Sequence, residues 1–154
     1  MTRSNARELA AHLIYELDYT DETPEQAIES RMERGYYDAL AGENEVYAER
    51  PSKKQMAYIT ACVAGVASHA EELDALIASH AIDWSIDRIA RVDLCILRVA
   101  LYEMLYRSDV PSGAAINEAV ELAKRFGGEK SYAFINGILG VVARELEKPG
   151  TTTE

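Results

Sequence analysis

Apolar residues recur at helical spacing along almost the whole chain, and this periodicity restricts the fold more than any other feature of the sequence. Leu9, Leu13 and Leu17 are spaced by four, and a later stripe runs from Ile59 to Ile77 at spacings of four and three. Such spacings place side chains on one face of an α-helix, whereas no stretch keeps the two-residue alternation of a half-buried strand. The sequence therefore predicts an all-α protein.

Local signals predict where the helices begin and end. Thr23 and Gln26 form a capping-box pattern around Pro24, Ser52 and Gln55 form a second one, and Ser131 can cap the last helix. Gly127 and Gly128 predict a left-handed helix end. These signals predict about seven helices, one of which is only a short turn from Trp84 to Ala90. The predicted ranges are near Ser4 to Leu17, Thr23 to Gly35, Ser52 to His80, 84–90, Asp93 to Arg107, Ala114 to Phe126 and Ser131 to Pro149.

Length and composition predict one domain. The chain has 154 residues, of which 48% are hydrophobic, so it can bury one sizeable core. We expect two packed helical sub-bundles, about 1–80 and 81–148, joined near Ala81, with a disordered tail over 149–154. No apolar run approaches the roughly 20 residues that span a bilayer, and the polar start lacks a signal-peptide stretch, so we expect a soluble, cytoplasmic protein.

Negative charge is concentrated in one segment. Ten acidic residues and two arginines between Asp18 and Glu49 carry −8 of the formal net charge of −10 and leave −2 for the rest of the chain. A nucleic-acid-binding face elsewhere is therefore compatible with the composition. We interpret about 18–51 as an acidic variable insert in which 36–51 is a weak helix and a surface loop. This interpretation predicts that part of 25–45 can be deleted without unfolding the core.

The sequence offers little catalytic or metal-binding chemistry. His69 and His80 fall on one predicted helix about 16 Å apart, too far to share a metal ion, and His12 with Glu16 lacks a second pair of ligands. Cys62 and Cys95 lie in apolar helical surroundings and are expected to be inert core thiols. We therefore predict no enzyme activity, no metal site and no cofactor.

Three elements near the end of the chain resemble the C-terminal signature of the NusB family. These are Asp109-Val110-Pro111, the run from Ala115 to Gly127 and the run from Phe134 to Leu139. The run from Ile96 to Leu105 is similar to the family's central helix, and Arg3 to Glu8 with Leu13-Ile14-Tyr15 is similar to its opening helix. The resemblance covers nearly the whole chain apart from about 18–51.

The resemblance implies a helical, non-enzymatic antitermination factor. It would bind boxA-type single-stranded RNA jointly with NusE, a small-subunit ribosomal protein, on the transcription elongation complex, and support ribosomal RNA transcription. When the family's contact positions are matched to this sequence, the resemblance implies RNA contacts at Arg3, Arg7, Lys130 and Phe134. It implies partner contacts at Tyr15 and Glu118.

Several alternatives stay open at this stage. Phe134 is either a stacking aromatic or a core residue, and Tyr15 is either a partner contact or a partly buried helix tyrosine. Glu118 pairs with Lys124 or Arg98, or it contacts the partner. Asn117 and Gly137 are interpreted as structural, the glycine because it would let two helices approach. The resemblance is compatible with a monomer or a homodimer, and the competing functions are a helical protein–protein adaptor without RNA binding and an enzyme accessory domain.

Overall fold

The structure, a computed structural model, describes residues 1–82 and 85–147. Within these ranges the chain is all-α, as predicted, with eight α-helices and two short 3-10 helices, Glu45–Ala48 and Ile86–Arg88. The α-helices are α1 Arg3–Leu17, α2 Pro24–Met32, α3 Arg34–Leu40, α4 Lys53–Ser68, α5 Ala70–His80, α6 Arg91–Tyr106, α7 Ser112–Phe126 and α8 Ser131–Leu146. None of the helices in the described ranges is both long enough and apolar enough to cross a membrane. The expected tail, 149–154, and the start of the predicted turn at Trp84 lie outside the described residues.

Two of the predicted helix starts are confirmed by hydrogen bonds. The Thr23 hydroxyl accepts from the Gln26 N–H at 3.1 Å, and the Gln26 side chain accepts from the Thr23 N–H at 2.9 Å. Ser52 and Gln55 make the same reciprocal pair at 3.2 and 2.9 Å. Each pair satisfies two amides that a helix start would otherwise leave without partners.

The division of the chain lies earlier than predicted. One compact unit is Met1–Ser68 and the other begins at His69, whereas the sequence predicted a junction near Ala81. The single long helix predicted over this region is α4 and α5, with His69 between them at φ −109° and ψ 18°. The Ser68 hydroxyl donates to the Gly65 carbonyl at 3.2 Å, a local bond that competes with helix continuation. Apolar spacing of three and four continues across this interruption, so periodicity alone could not reveal it.

The first unit is built on α1 and α4, against which α2 also packs. Its core includes the fully buried side chains of Leu9, Leu13, Tyr37, Tyr58 and Ile59. α2 ends at Met32, and Gly35, which we expected to end it, lies inside α3.

The acidic segment contributes to that core, which corrects the prediction of a surface loop. Tyr37, Val46 and Tyr47 are buried, and the rings of Tyr37 and Tyr47 meet edge to face at 5.1 Å between centroids. The Tyr37 hydroxyl donates to the Glu49 carbonyl at 2.8 Å. All ten acidic residues of this segment are exposed, whereas Tyr37, Val46 and Tyr47 point into the unit. Deletion of 25–45 would remove part of the core, so we withdraw the expectation that this segment is dispensable.

Buried Arg31 ties this segment to α1. Its guanidinium donates both to the Tyr47 hydroxyl and to the Glu16 carboxylate. Burial raises the pKa of Tyr47 to about 12, so its phenol stays protonated at neutral pH. The phenol oxygen also lies 3.0 Å from Nδ1 of His12. The segment is therefore joined to the opening helix by a chain of polar contacts as well as by packing.

The second unit is organised around α6, which contacts α5, α7 and α8. Every residue from Asp93 to Glu103 is buried, and Leu94, Leu97 and Leu101 are fully so. This confirms the prediction of a central helix that is surrounded by others. Arg98 forms a two-pronged ion pair with Asp74 of α5, with both N–O distances at 2.8 Å. Gly137 of α8 departs from its prediction: it is exposed, and a Cβ there would meet nothing within 4 Å.

Candidate nucleic-acid interface

A cavity of about 620 Å³ opens in the second unit where two helices begin. It is lined by Arg88, Ile89, Ala90, Asp93, Lys130, Ser131, Ala133 and Phe134. Its volume lies within the roughly 300–1,000 Å³ typical of ligand pockets. Two of the four residues predicted to contact RNA, Lys130 and Phe134, are thus brought together at one place.

Two helix ends and two cations contribute positive charge to the cavity. α6 follows Ala90 and α8 follows Lys130, and neither residue makes a side-chain cap. The first amides of a helix have no intrahelical acceptor and carry partial positive charge, which favours an anion such as phosphate. Arg88 and Lys130 are exposed and add two full positive charges.

Phe134 lies between its two predicted environments. Its side chain is half-buried and lines the cavity, and it is outside the set of fully buried residues to which Ile135 and Leu139 belong. An aromatic ring with one accessible side can stack on an unpaired base. This geometry favours the stacking alternative over the core alternative.

The turn that carries Lys130 is held by close packing. Gly127 has φ −91° and ψ −176°, which is extended backbone, so the predicted left-handed cap was wrong. A Cβ at Gly127 would lie 2.6 Å from the Ser131 Cβ and 2.8 Å from the Ala123 carbonyl oxygen. Glycine is required here by this close approach.

Ser131 links the turn to α6, although it is not the helix cap that we predicted. It is the first residue of α8, and its buried hydroxyl accepts from the Gly128 N–H at 2.8 Å. The same hydroxyl donates to Oδ2 of Asp93 at 3.0 Å. One side chain therefore fixes both the turn and a carboxylate that lines the cavity.

In the first unit, the two predicted arginines lie against one tyrosine. The guanidinium carbons of Arg3 and Arg7 are 4.3 and 5.7 Å from the centroid of the buried Tyr58 ring. Arg3 is half-buried, whereas Arg7 is only 5% exposed. Both guanidinium groups therefore lie on Tyr58, and RNA contact by Arg3 and Arg7 stays a prediction.

Sequence reasoning missed two lysines near the start of α1. Lys53 and Lys54 are exposed in the first turn of α4, and the next residue, Gln55, donates its side-chain amide to the Met1 carbonyl. This bond brings the start of α4 to the start of α1. The Ser52 capping pattern located these lysines on the chain, but only the packing of α1 on α4 brings the helix start that carries them to the start of α1. Arg88 was missed in the same way.

The two predicted partner contacts are both partly accessible. Tyr15 is half-buried on α1, with its ring centroid 5.3 Å from that of exposed Tyr19. Glu118 is half-buried on α7. Of the two cations considered for Glu118, Arg98 forms an ion pair with Asp74, and Lys124 lies 3.7 Å from Glu121.

The histidines and cysteines of the described ranges have structural surroundings. His69 stacks on Tyr106 at 4.1 Å, and His80 Nε2 lies 2.9 Å from the Glu145 carboxylate. The hydrogen bond to the Leu76 carbonyl raises the pKa of His80 above its ordinary value. Cys62 and Cys95 are buried thiols. Over residues 1–82 and 85–147, no group of three or more His, Cys, Asp or Glu is placed to hold a metal ion.

Comparison with known proteins gives a consistent result. The model of the NusB family matches residues 4–144. The chain is 40% identical over 147 residues to the transcription antitermination protein NusB of Bacillus velezensis, covering 96% of this chain and 99% of that one. It is 36% identical over 148 residues to NusB of Bacillus subtilis, with coverages of 96% and 99%.

Solved structures show the same similarity. T. maritima NusB matches with a TM-score of 0.78 and 30% identity over 94% of this chain and 92% of that one. A crystal structure of antitermination factors NusB and NusE in complex with double-stranded RNA matches with a TM-score of 0.72 and 25% identity, covering 93% of this chain and 96% of that one.

Proposed function

This chain belongs to the NusB family, and we propose that it is a transcription antitermination factor that binds boxA-type single-stranded RNA jointly with NusE. In this role it acts on the transcription elongation complex in the cytoplasm and supports ribosomal RNA transcription. The role is non-catalytic and uses no cofactor, because the protein only holds RNA and a partner together.

The cavity at the starts of α6 and α8 is the observation that carries the proposal. It combines what a single-stranded nucleotide needs: two uncapped helix starts and two cations for a phosphate, and a half-buried ring for a base. Lys130 supplies the phosphate contact, and Phe134 supplies the stacking surface.

The first unit adds phosphate contacts in this proposal. Arg3 and Arg7 of α1 supply these contacts, and the exposed Lys53 and Lys54 at the start of α4 add two further cations in the same unit. The Tyr58 ring lies under both guanidinium groups. With so few cations on a chain of net charge −10, affinity for RNA alone is weak, and NusE is needed for tight binding.

Tyr15 and Glu118 are proposed as contacts to NusE. Both side chains are partly exposed, so a protein partner can cover them. Tyrosine suits a protein interface because its ring is apolar and its hydroxyl can still find a hydrogen-bond partner.

Lys130→Glu is expected to weaken binding of boxA-type RNA and to flatten its salt dependence. Loss of one phosphate contact to a single strand lowers the logarithmic salt slope by about 0.7. Fluorescence titrations at several salt concentrations, with NusE present, measure both effects. Lys124→Glu makes the same charge change on an exposed lysine outside the cavity and should leave the slope close to that of the unmodified chain. Equal effects of the two variants would contradict a specific role for Lys130.

Phe134→Ala is expected to cost roughly 1–3 kcal/mol of RNA binding with the salt slope nearly unchanged. The fold should remain intact, since the ring is only half-buried. Phe126→Ala is the matched control, because Phe126 is 41% exposed and does not line the cavity. If Phe134→Ala instead destabilised the protein by about 3–5 kcal/mol, Phe134 would be a core residue and would no longer be assigned to the RNA-binding site.

The adaptor alternative is supported by the strong negative charge and by the burial of Arg7. Titration of boxA-type RNA with and without NusE separates the two functions. RNA binding that NusE strengthens supports the antitermination factor. Binding of NusE with no RNA binding under either condition would favour the adaptor.

A further inference from the structure

The cavity contains one polar atom that its proposed phosphate and stacking contacts do not use. Oδ1 of Asp93 is buried, and it has no hydrogen-bond partner in the part of the chain that the structure describes. The residue as a whole is 9% exposed. A buried carboxylate oxygen without a donor is costly, and in native proteins such an atom usually has a function or a missing partner.

The position of Asp93 on α6 explains its charge but leaves the unpartnered oxygen unexplained. Asp93 lies in the first turn of α6, where a negative side chain is favourable. A negative charge at the helix start does not require Oδ1 to lack a hydrogen-bond donor. The other oxygen, Oδ2, already accepts from the Ser131 hydroxyl at 3.0 Å. Moreover, a carboxylate repels the phosphate that Arg88 and Lys130 would attract. Its presence on the cavity wall fits a ligand that brings a hydrogen-bond donor as well as an anion.

We propose that Asp93 selects the base that enters this cavity, by accepting a hydrogen bond from its exocyclic amino group at Oδ1. This inference rests on the proposed RNA binding. Cytosine offers an amino group at its Watson–Crick edge, whereas uracil has a carbonyl oxygen at the same place, which a carboxylate repels. The site therefore prefers cytosine to uracil.

Ser131 is a positioning residue in this arrangement. Its hydroxyl accepts from the Gly128 N–H and donates to Asp93, so it determines which carboxylate oxygen remains free. The same hydroxyl holds the turn that carries Lys130. Ser131 therefore fixes the position of Asp93, which selects the base, relative to Lys130, which contacts the phosphate.

The test compares oligocytidylate and oligouridylate of equal length, each titrated in the presence of NusE. The unmodified protein is expected to bind oligocytidylate about tenfold more tightly. In Asp93→Asn, the Ser131 hydroxyl donates to the amide oxygen and leaves the amide NH₂ facing the base. A donor then replaces the acceptor, and the preference for cytidine should disappear or reverse. Asp87→Asn, an exposed neighbour with the same charge change, should keep the preference.

The outcomes separate this inference from the proposed function. If both RNAs bind and Asp93→Asn keeps the cytidine preference, base selection by Asp93 is wrong while RNA binding stands. If neither homopolymer binds although boxA-type RNA does, the cytidine preference is overturned; if boxA-type RNA does not bind either, the proposed function itself fails. If Asp93→Asn does not unfold cooperatively, Ser131→Ala replaces it as the test. A cytidine preference that falls severalfold in Ser131→Ala supports the proposal, and an unchanged preference overturns it.

Discussion

Tyr47→Ala is expected to lower the free energy of unfolding by about 3–5 kcal/mol, the range for removing a large buried aromatic ring. Tyr47 is 5% exposed, packs edge to face on Tyr37 and accepts a hydrogen bond from Arg31. The substitution leaves a void and also deprives a buried guanidinium of one acceptor, and both effects reduce stability.

Urea unfolding followed by circular dichroism measures this loss. Tyr36→Ala is the matched control in the same segment, because Tyr36 is 48% exposed, and its cost should stay below about 1 kcal/mol. If both variants were equally mild, the acidic segment would be a peripheral insert after all.

Gly127→Ala is expected to cost about 3 kcal/mol, at the upper end of the range for overpacked sites. The new methyl group would lie 2.6 Å from the Ser131 Cβ and 2.8 Å from a backbone carbonyl, and neither atom can move aside without shifting a helix. The turn that carries Lys130 should shift as well, so binding of boxA-type RNA should weaken together with stability.

The adjacent glycine provides the control for this prediction. At Gly128 the nearest atom to an added Cβ is Oγ of Ser131 at 3.8 Å, an ordinary contact. Gly128→Ala should therefore change stability by no more than about 0.5 kcal/mol. Thermal unfolding of the two variants side by side tests the packing, and similar melting temperatures would argue against it.

Features that depend on neighbouring residues in sequence were predictable. The capping boxes at Thr23 and Ser52 formed as expected, because each needs only residues three positions apart. The central position of α6 followed from its lack of a polar face. The interruption at His69 was missed because a one-residue break leaves the apolar spacing nearly intact.

Features that depend on distant contacts could not be predicted. The acidic composition of 18–51 described its exposed side chains correctly, but the partners of Tyr37, Tyr47 and Arg31 come from other segments. The same limit applies to the candidate site. Lys130 and Phe134 are close together in sequence and meet at the cavity, whereas the burial of Arg7 and the nearness of Lys53 to α1 depend on tertiary packing.

The two buried thiols allow local unfolding of each unit to be measured without an added label. Cys62 lies in α4 of the first unit and Cys95 in α6 of the second, at 0% and 3% exposure. A thiol reagent can modify each cysteine only when its own unit opens. Mass spectrometry of each modified peptide over time would therefore measure two opening free energies in one unlabelled sample. Comparing the two rates would reveal whether the units open together or one at a time.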